Sequence, residues 1–566
     1  MKLTTISILI LSICYNLDTS AEEFRPRVTT PLGVIEGGVG LSVNLNPYFK
    51  FEGIPYAKPP VGNLRFEEPE DPEPWKGIWK ANSLTTCMQY DHFEKDVQNN
   101  YRVHGDEDCL YVNVYTHSLS DKANLDVLVF IHGGAFMFGR GASYGPEIIM
   151  DRKIVFVNFN YRLGPLGFLS TEDEVIPGNI GLKDQIKALK WVKNNIQYFG
   201  GNPDSITIFG LSAGGASVHF HYFTPESKGL FKAGFSQSGC MLNSWVLAEN
   251  SKEKTEKLAA LVGCPTDDSK TILDCLKSKP ARQIVQAVKE YQPFLYNPFS
   301  PFGAVVDGKW SKNPVLLDHP YKLLKQGKVQ DLPWIISYTS HEGLYPAADF
   351  YADDQHLIDI DTKWNEIMPF VLHYNETIDQ KLKDEVSQTI RDHYLGNNPV
   401  NKETYNSLVQ LMGDRLFIAD IEKAARLHAS VIKSDVYSYH FNYRGSSSFS
   451  ELTSKSKNNI GVCHGDDTIL LLKVKEISDS LQNDDDKKMS EFLINMFMSV
   501  MQKRSIDIKA KWEPLLKNAQ DPYQILKINK HDDAILLSKK SLGNSEFWNR
   551  FPFQENDNIL TQKDEL

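Results

Sequence analysis

Ser212 stands in Gly210-Leu211-Ser212-Ala213-Gly214, between the apolar run Ser205-Ile206-Thr207-Ile208-Phe209 and the helix-like Gly215-Ala216-Ser217-Val218-His219. A strand, then Gly-x-Ser-x-Gly, then a helix makes a turn so sharp that the serine hydroxyl stands clear of its neighbours as a nucleophile. The flanking glycines give that turn room. Patterns this short also arise in ordinary glycine-rich loops, so Ser212 is reactive only if the chain supplies its partners.

A serine that attacks a carbonyl needs donors for the oxyanion it creates. Val127-Leu128-Val129-Phe130-Ile131 has the unbroken apolar character of a strand buried on both faces, and it ends in His132-Gly133-Gly134. The N–H groups of Gly133, Gly134 and Ala213 are the candidate oxyanion hole; the alternative is a plain glycine turn after a strand. The serine also needs a base, and an acid to orient that base. Among fifteen histidines, His464 stands out in Gly461-Val462-Cys463-His464-Gly465, a glycine-bounded loop downstream of the strand-like Val436-Tyr437-Ser438-Tyr439-His440-Phe441. Glu342, in Ser340-His341-Glu342-Gly343, directly follows the strand-like Trp334-Ile335-Ile336-Ser337-Tyr338. Serine, then glutamate, then histidine is the chain order of α/β-hydrolases. Spacing alone leaves both partners open, since a loop histidine or glutamate is more often a solvated surface group.

Longer motifs reach further. Phe51-Glu52-Gly53-Ile54-Pro55-Tyr56-Ala57-Lys58-Pro59-Pro60-Val61-Gly62 and Glu107-Asp108-Cys109-Leu110-Tyr111-Val112-Asn113-Val114 precede the serine. Asn179-Ile180-Gly181-Leu182-Lys183-Asp184-Gln185 and Phe199-Gly200-Gly201-Asn202-Pro203 lead up to it. Together they resemble the type-B carboxylesterase, lipase and cholinesterase family, from about residue 29 to about residue 551. That resemblance implies an α/β-hydrolase fold of class α/β, a large central, mostly parallel sheet flanked by helices on both faces. It implies Ser212 as nucleophile, Glu342 as acid and His464 as base, acting on small-molecule ester substrates through an acyl-enzyme. It also implies disulfides pairing Cys87 with Cys109 and Cys264 with Cys275. Cys240 and Cys463 are then left as free thiols, and Cys463, beside the base, is a candidate target for thiol reagents.

The chain departs from the family in two places. Leu211 stands where cholinesterases carry glutamate and juvenile-hormone esterases usually glutamine, which argues against both activities. His341 stands where the acid motif usually reads Asp-Glu-Gly, although Glu342 itself is retained. The remaining pattern looks most like the general carboxylesterases of insects.

A chain of 566 residues with 41% hydrophobic content can bury a large core, and α/β enzymes of this length often hold one big catalytic domain. No repeat or clean linker divides it, so a single catalytic domain is expected over residues 22–555. Leu182, Ile186, Leu189, Val192 and Ile196 recur at helical spacing and predict a helix over residues 181–199; residues 489–501 predict another. Residues 445–459 and 483–488 read as loops. A net charge of −11 without a basic stripe makes nucleic acid a poor partner. The cysteines lack CxxC spacing, HExxH is absent and no glycine-rich nucleotide loop follows a strand, so neither cofactor nor metal is expected. Leu242, Trp245, Phe302, Tyr345 and Phe417 are candidates to line a substrate cleft, each equally an ordinary core residue.

Both ends read as addresses. Met1-Lys2 and the apolar residues 6–14 predict a signal peptide over residues 1–21, too short to span a membrane, and no other apolar run approaches ~20 residues. The tail, residues 556–566, ends in Lys563-Asp564-Glu565-Leu566, which the ER-retention receptor reads. The expected location is the ER lumen, an oxidising compartment that permits the disulfides, with Asn375-Glu376-Thr377 as a glycosylation sequon. The expected function is a serine carboxylesterase of broad specificity for xenobiotic or lipid-derived esters. Its alternatives are an esterase specific for juvenile hormone or another lipid ester, and a slow-turnover scavenger of esters and organophosphates. A non-catalytic binding protein on the same fold typically lacks the serine that is present here.

Overall fold

The computed structural model describes residues 25–95, 100–477, 480–502 and 510–556. The expected signal peptide and the terminal Lys563-Asp564-Glu565-Leu566 lie outside the described residues. Eleven strands join in one sheet. In chain order they are β1 (Gly38–Leu41), β2 (Pro47–Pro55), β3 (Tyr111–Thr116), β4 (Leu125–Ile131), β5 (Val155–Phe159) and β6 (Gly201–Leu211). Then come β7 (Ala233–Gln237), β8 (Trp334–Thr339), β9 (Val436–Phe441), β10 (Tyr523–Lys530) and β11 (Asp533–Lys539). Their spatial order is β11-β10-β9-β8-β7-β6-β4-β5-β3-β2-β1. From β5 across to β10 the neighbours run parallel, and antiparallel strands complete the two edges.

The unbroken apolar runs follow from burial on both faces. Along β4, Val127, Val129 and Ile131 enter one core while Leu128 and Phe130 enter the other. The first core also takes Leu182, Ile186 and Leu189 of α1 (Ile180–Asn195), Val218 and Phe220 of α2 (Ala213–Phe223), Leu408 of α3 (Tyr405–Gly413), and Ile421 and Ala424 of α4 (Ala419–Val431). Two further helices are α5 (Ser450–Ser454) and α6 (Asp484–Met501). Met489, Leu493 and Phe497 of α6 fill the opposite core. Helices therefore cover both faces, and none among the described residues is long and apolar enough to cross a membrane.

Two loop expectations need correction. Residues 483–488 open α6: the Asn483 side chain accepts from Asp486 N–H at 2.8 Å as an N-cap. Asp484, Asp485 and Asp486 then fill a first turn, where negative charge is favoured. Residues 445–459 contain α5, which packs near the site described below. The helix expected over residues 181–199 is α1 followed by a tighter turn, Ile196–Phe199.

Cys87 is bonded to Cys109 and Cys264 to Cys275, while Cys240 and Cys463 are free and buried. The motif carboxylates are anchors as well. Asp184 takes Arg162 through Nε at 2.8 Å and Nη2 at 2.7 Å, and Glu107 takes Arg65 through Nε at 2.5 Å and Nη2 at 2.6 Å. Ligands of open α/β sheets bind beyond the carboxyl ends of the strands. That is where His132, Ser212, Ser238 and Glu342 lie, past β4, β6, β7 and β8.

Candidate active site

β6 ends at Leu211 and α2 begins at Ala213, leaving Ser212 alone to reverse the chain at φ 60° and ψ −122°. Two backbone bonds hold it there. Ser212 N–H donates to Gln237 O at 2.8 Å, and Ser212 O accepts from Ala216 N–H at 2.9 Å. Gly214 lies so close to Ile131 O that any side chain would collide. The glycine two residues after the serine is therefore a packing requirement between α2 and β4.

His464 and Glu342 arrive on separate loops and meet. His464 Nδ1–H donates to Glu342 Oε2 at 2.6 Å. Glu342 is fully buried, and its other oxygen accepts from Ser238 Oγ–H at 2.5 Å and Thr339 N–H at 2.6 Å. A carboxylate held by three donors has one orientation, and it fixes which histidine nitrogen carries the proton. His464 Nε2 is buried with no protein partner among the described residues, and it opens on the cleft that Ser212 shares. Two rings flank the imidazole: Phe417 at 4.5 Å, and Tyr345 at 5.5 Å and nearly parallel. Phe417 is carried by a π-helical turn, Asp414–Ile418, between α3 and α4. Such turns, with their wider hydrogen-bond spacing, cluster at functional sites.

The glycine pair sits beside the serine. A Cβ on Gly133 would lie 3.0 Å from Ser212 Cβ. His132 braces this turn: its Nδ1–H donates to Gly133 O at 2.8 Å, its ring stacks on Tyr161, and Tyr161 Oη–H donates to His132 O at 2.9 Å. Burial pushes His132 down to about 4, so the ring works as a neutral donor. Among the described residues the N–H groups of Gly133 and Gly134 donate to no backbone carbonyl. Ala213 opens α2, where the first N–H groups have no intrahelical acceptor. The arrangement offers three unengaged donors beside a serine hydroxyl and an oriented imidazole, the set that acyl transfer requires.

The cleft has a volume of about 60 Å³. Beyond Ser212, His464 and the glycine pair, its walls include Phe93, Phe138, Leu211, Tyr345, Phe449 and Thr453, with no carboxylate, lysine or arginine among them. Of the five residues proposed to line it, Tyr345 does, and Phe417 lies behind His464. Leu242, Trp245 and Phe302 are buried and do not border it. A larger cleft of about 720 Å³, lined in part by Arg152, Lys473, Lys487 and Glu491, touches none of the residues above; size does not make it the reaction site. Cys463 borders the active cleft but is 3% exposed, and burial, with Asp466 and Glu342 adding, pushes its thiol well above the usual range. A thiol held protonated is a poor target for thiol reagents.

Asp91, Glu94 and His104 form one possible metal-ligating group among the described residues. Glu94 is engaged by Arg102 at 2.7 Å and Asp91 by His104 at 3.2 Å, so both carboxylates already have protein partners. Asn375 is half-buried in the turn that follows Trp364–Val371, its N–H donating to Pro369 O.

The Carboxylesterase family model matches residues 25–547. The chain belongs to that family. Venom carboxylesterase-6 of Apis mellifera is 43% identical over 94% of this chain and 95% of its own length. A carboxylic ester hydrolase of Bombus ignitus is 41% identical over 98% and 99%. Among solved structures, juvenile hormone esterase from Manduca sexta, with OTFP covalently attached, superposes with a TM-score of 0.79 at 26% identity, covering 95% of this chain and all of that one. The family and the sheet agree on an α/β-hydrolase esterase. Two contacts of this carboxylesterase had no signal in the sequence, the Ser238 bond to Glu342 and the His132 brace, whereas Phe417, a candidate for the cleft wall, stands against the His464 ring instead. Ser238 follows a strand in Gln237-Ser238-Gly239, but no spacing rule ties that position to Glu342.

Proposed function

We propose that the chain hydrolyses neutral, largely apolar carboxylic esters, with Ser212 as nucleophile, His464 as general base and Glu342 as its orienting partner. The observation that carries this reading is the His464–Glu342 bond, which leaves Nε2 free on an aromatic cleft shared with Ser212. As Ser212 Oγ attacks the ester carbonyl, Nε2 takes its proton, and the oxyanion is received by the N–H groups of Gly133, Gly134 and Ala213. His464 returns the proton to the leaving alcohol. Water then attacks the acyl-enzyme with His464 again as base, releasing the acid and restoring Ser212. The absence of wall carboxylates favours neutral over cationic esters, and the aromatic lining suits xenobiotic or lipid-derived groups.

The test is turnover of p-nitrophenyl esters of increasing acyl length, with active sites counted by an organophosphate. One label per chain at Ser212, turnover by the parent and loss of both in Ser212→Ala are expected; full turnover by Ser212→Ala rejects the reading. Labelling with negligible turnover would identify a scavenger instead.

The two terminal signals support residence in the ER lumen, with Lys563-Asp564-Glu565-Leu566 engaging the retention receptor and Asn375 carrying a glycan. Deleting the last four residues is expected to send the protein to the medium. Peptide N-glycosidase treatment is expected to raise its mobility, an effect that Asn375→Gln abolishes.

A further inference from the structure

We propose that His341 is a positioning residue for the catalytic pair, locking the turn that bears Glu342 to the segment that bears His464. This rests on the triad reading above and extends it to a residue that touches neither substrate nor the reacting atoms.

The two loops leave different strands, β8 and β9: where the strands end Ser340 Oγ–H donates to Asn442 Oδ1, and further along the loops the side chains meet at the Glu342–His464 bond. Immediately before that bond the backbones are stitched. His341 N–H donates to Val462 O at 3.0 Å, and Val462 N–H donates back to the ring, to His341 Nδ1 at 3.1 Å. A single β-bridge pairs His341 with Cys463. The ring lies against Gly461, where φ is +133° and a Cβ would stand 2.6 Å from His341 Cγ. Only glycine admits both that backbone and that ring.

Other backbone bonds of the histidine segment point elsewhere. Gly461 N–H goes to Asn459 Oδ1 at 3.1 Å, and Cys463 N–H to Asp466 Oδ2 at 2.8 Å. These shape the segment without referring it to Glu342. His341 makes that reference through Val462, one residue before the acid and two before the base. Burial lowers the His341 ring from its usual value, which favours the neutral form whose Nδ1 accepts.

The role predicts a loss in the chemical step rather than in binding, because the cleft walls do not include His341. Two variants keep most of the side-chain volume. In His341→Asn the amide oxygen reaches the place of Nδ1 and accepts from Val462 N–H. In His341→Gln the amide reaches further, to the place of Nε2, and leaves that N–H unpaired. Turnover per organophosphate-titrated site, with KM, is measured for both. The downfield proton resonance of His464 Nδ1–H, in its short bond to Glu342, is recorded alongside.

His341→Asn is expected to keep kcat within about twofold and to keep the resonance. His341→Gln is expected to lose kcat by roughly tenfold, in line with the sensitivity of catalysis to small misplacements, with KM nearly unchanged and the resonance shifted or broadened. Parental kcat and resonance in His341→Gln, or equal losses in both variants, overturns the proposal. The resonance reports the His464–Glu342 contact whether or not Ser212 reacts, so failure of the functional reading and failure of this one are separate results.

Discussion

Ser212 is held in a conformation that its own side chain disfavours. A non-glycine residue at φ 60° and ψ −122° carries strain of roughly 1–3 kcal/mol. Glycine relieves that strain but gains freedom in the unfolded chain, roughly 0.5–1 kcal/mol in the other direction. Ser212→Gly is therefore expected to be about 1 kcal/mol more stable than Ser212→Ala in urea unfolding. Equal stabilities would show an unstrained turn. Ser238 acts at the same scale: its hydroxyl donates to the buried Glu342 carboxylate, and hydrogen bonds to charged groups are worth about 1.5–3 kcal/mol. If a good part of that energy orients the acid, Ser238→Ala slows turnover roughly tenfold or more. Unchanged kcat per titrated site would contradict an orienting role.

Among the elements, α1 is tied to the chain beyond β5 by a buried ion pair. Arg162 meets Asp184 through two side-chain nitrogens and its own N–H, at 2.7–3.0 Å. Both residues are buried, at 4% and 0% exposed. Removing one partner strands the other charge, which typically destabilises by about 3–5 kcal/mol. Asp184→Ala is expected to show that loss in its urea midpoint, and a change below 1 kcal/mol would mean that water reaches Arg162. Exposed pairs such as Lys270–Asp274 are expected to contribute little, since side-chain entropy and screening offset their attraction. Asn483 and the three aspartates after it show the reverse case, in which polar residues mark a helix start rather than a break.

At the scale of the whole molecule, buried histidines set the response to acid. Burial lowers His92, His221 and His428 to about 3 and His132 to about 4, and it holds His219 and His373 well below the usual range. In the unfolded chain each takes a proton near pH 6.5. Their stabilisation is therefore complete above about pH 6.5 and is lost as pH falls toward the folded values. Asp349 and Asp414, raised to about 6, and Asp466, raised to about 7, act in the opposite sense. Their contribution is full below about pH 4, the unfolded value, and lost as pH rises through 6 to 7. Burial also raises Asp307, Asp467 and Glu249 and lowers His319, His341, His393 and His440, so ten histidines outweigh six carboxylates and Tm is expected to fall steadily from pH 7.5 to pH 5. A Tm that holds or rises over that range would reverse the balance.

The sequence by itself determined what local chemistry can encode. Apolar runs marked β4, β6, β8 and β9, helical spacing marked α1 and the core of α6, and Gly-x-Ser-x-Gly marked the turn at Ser212. Long family motifs carried the fold class and nominated Glu342 and His464, which composition and spacing had left among ordinary loop residues. Tertiary structure alone decided which loops meet. Glu342 and His464 lie 122 positions apart, and only the parallel order of β8 and β9 sets their loops side by side. The same holds for Ser238 on Glu342, for His341 on Val462 and for Phe417 beside the imidazole. Each contact is a distance between elements that no periodicity records, fixed by packing across the carboxyl edge of the sheet.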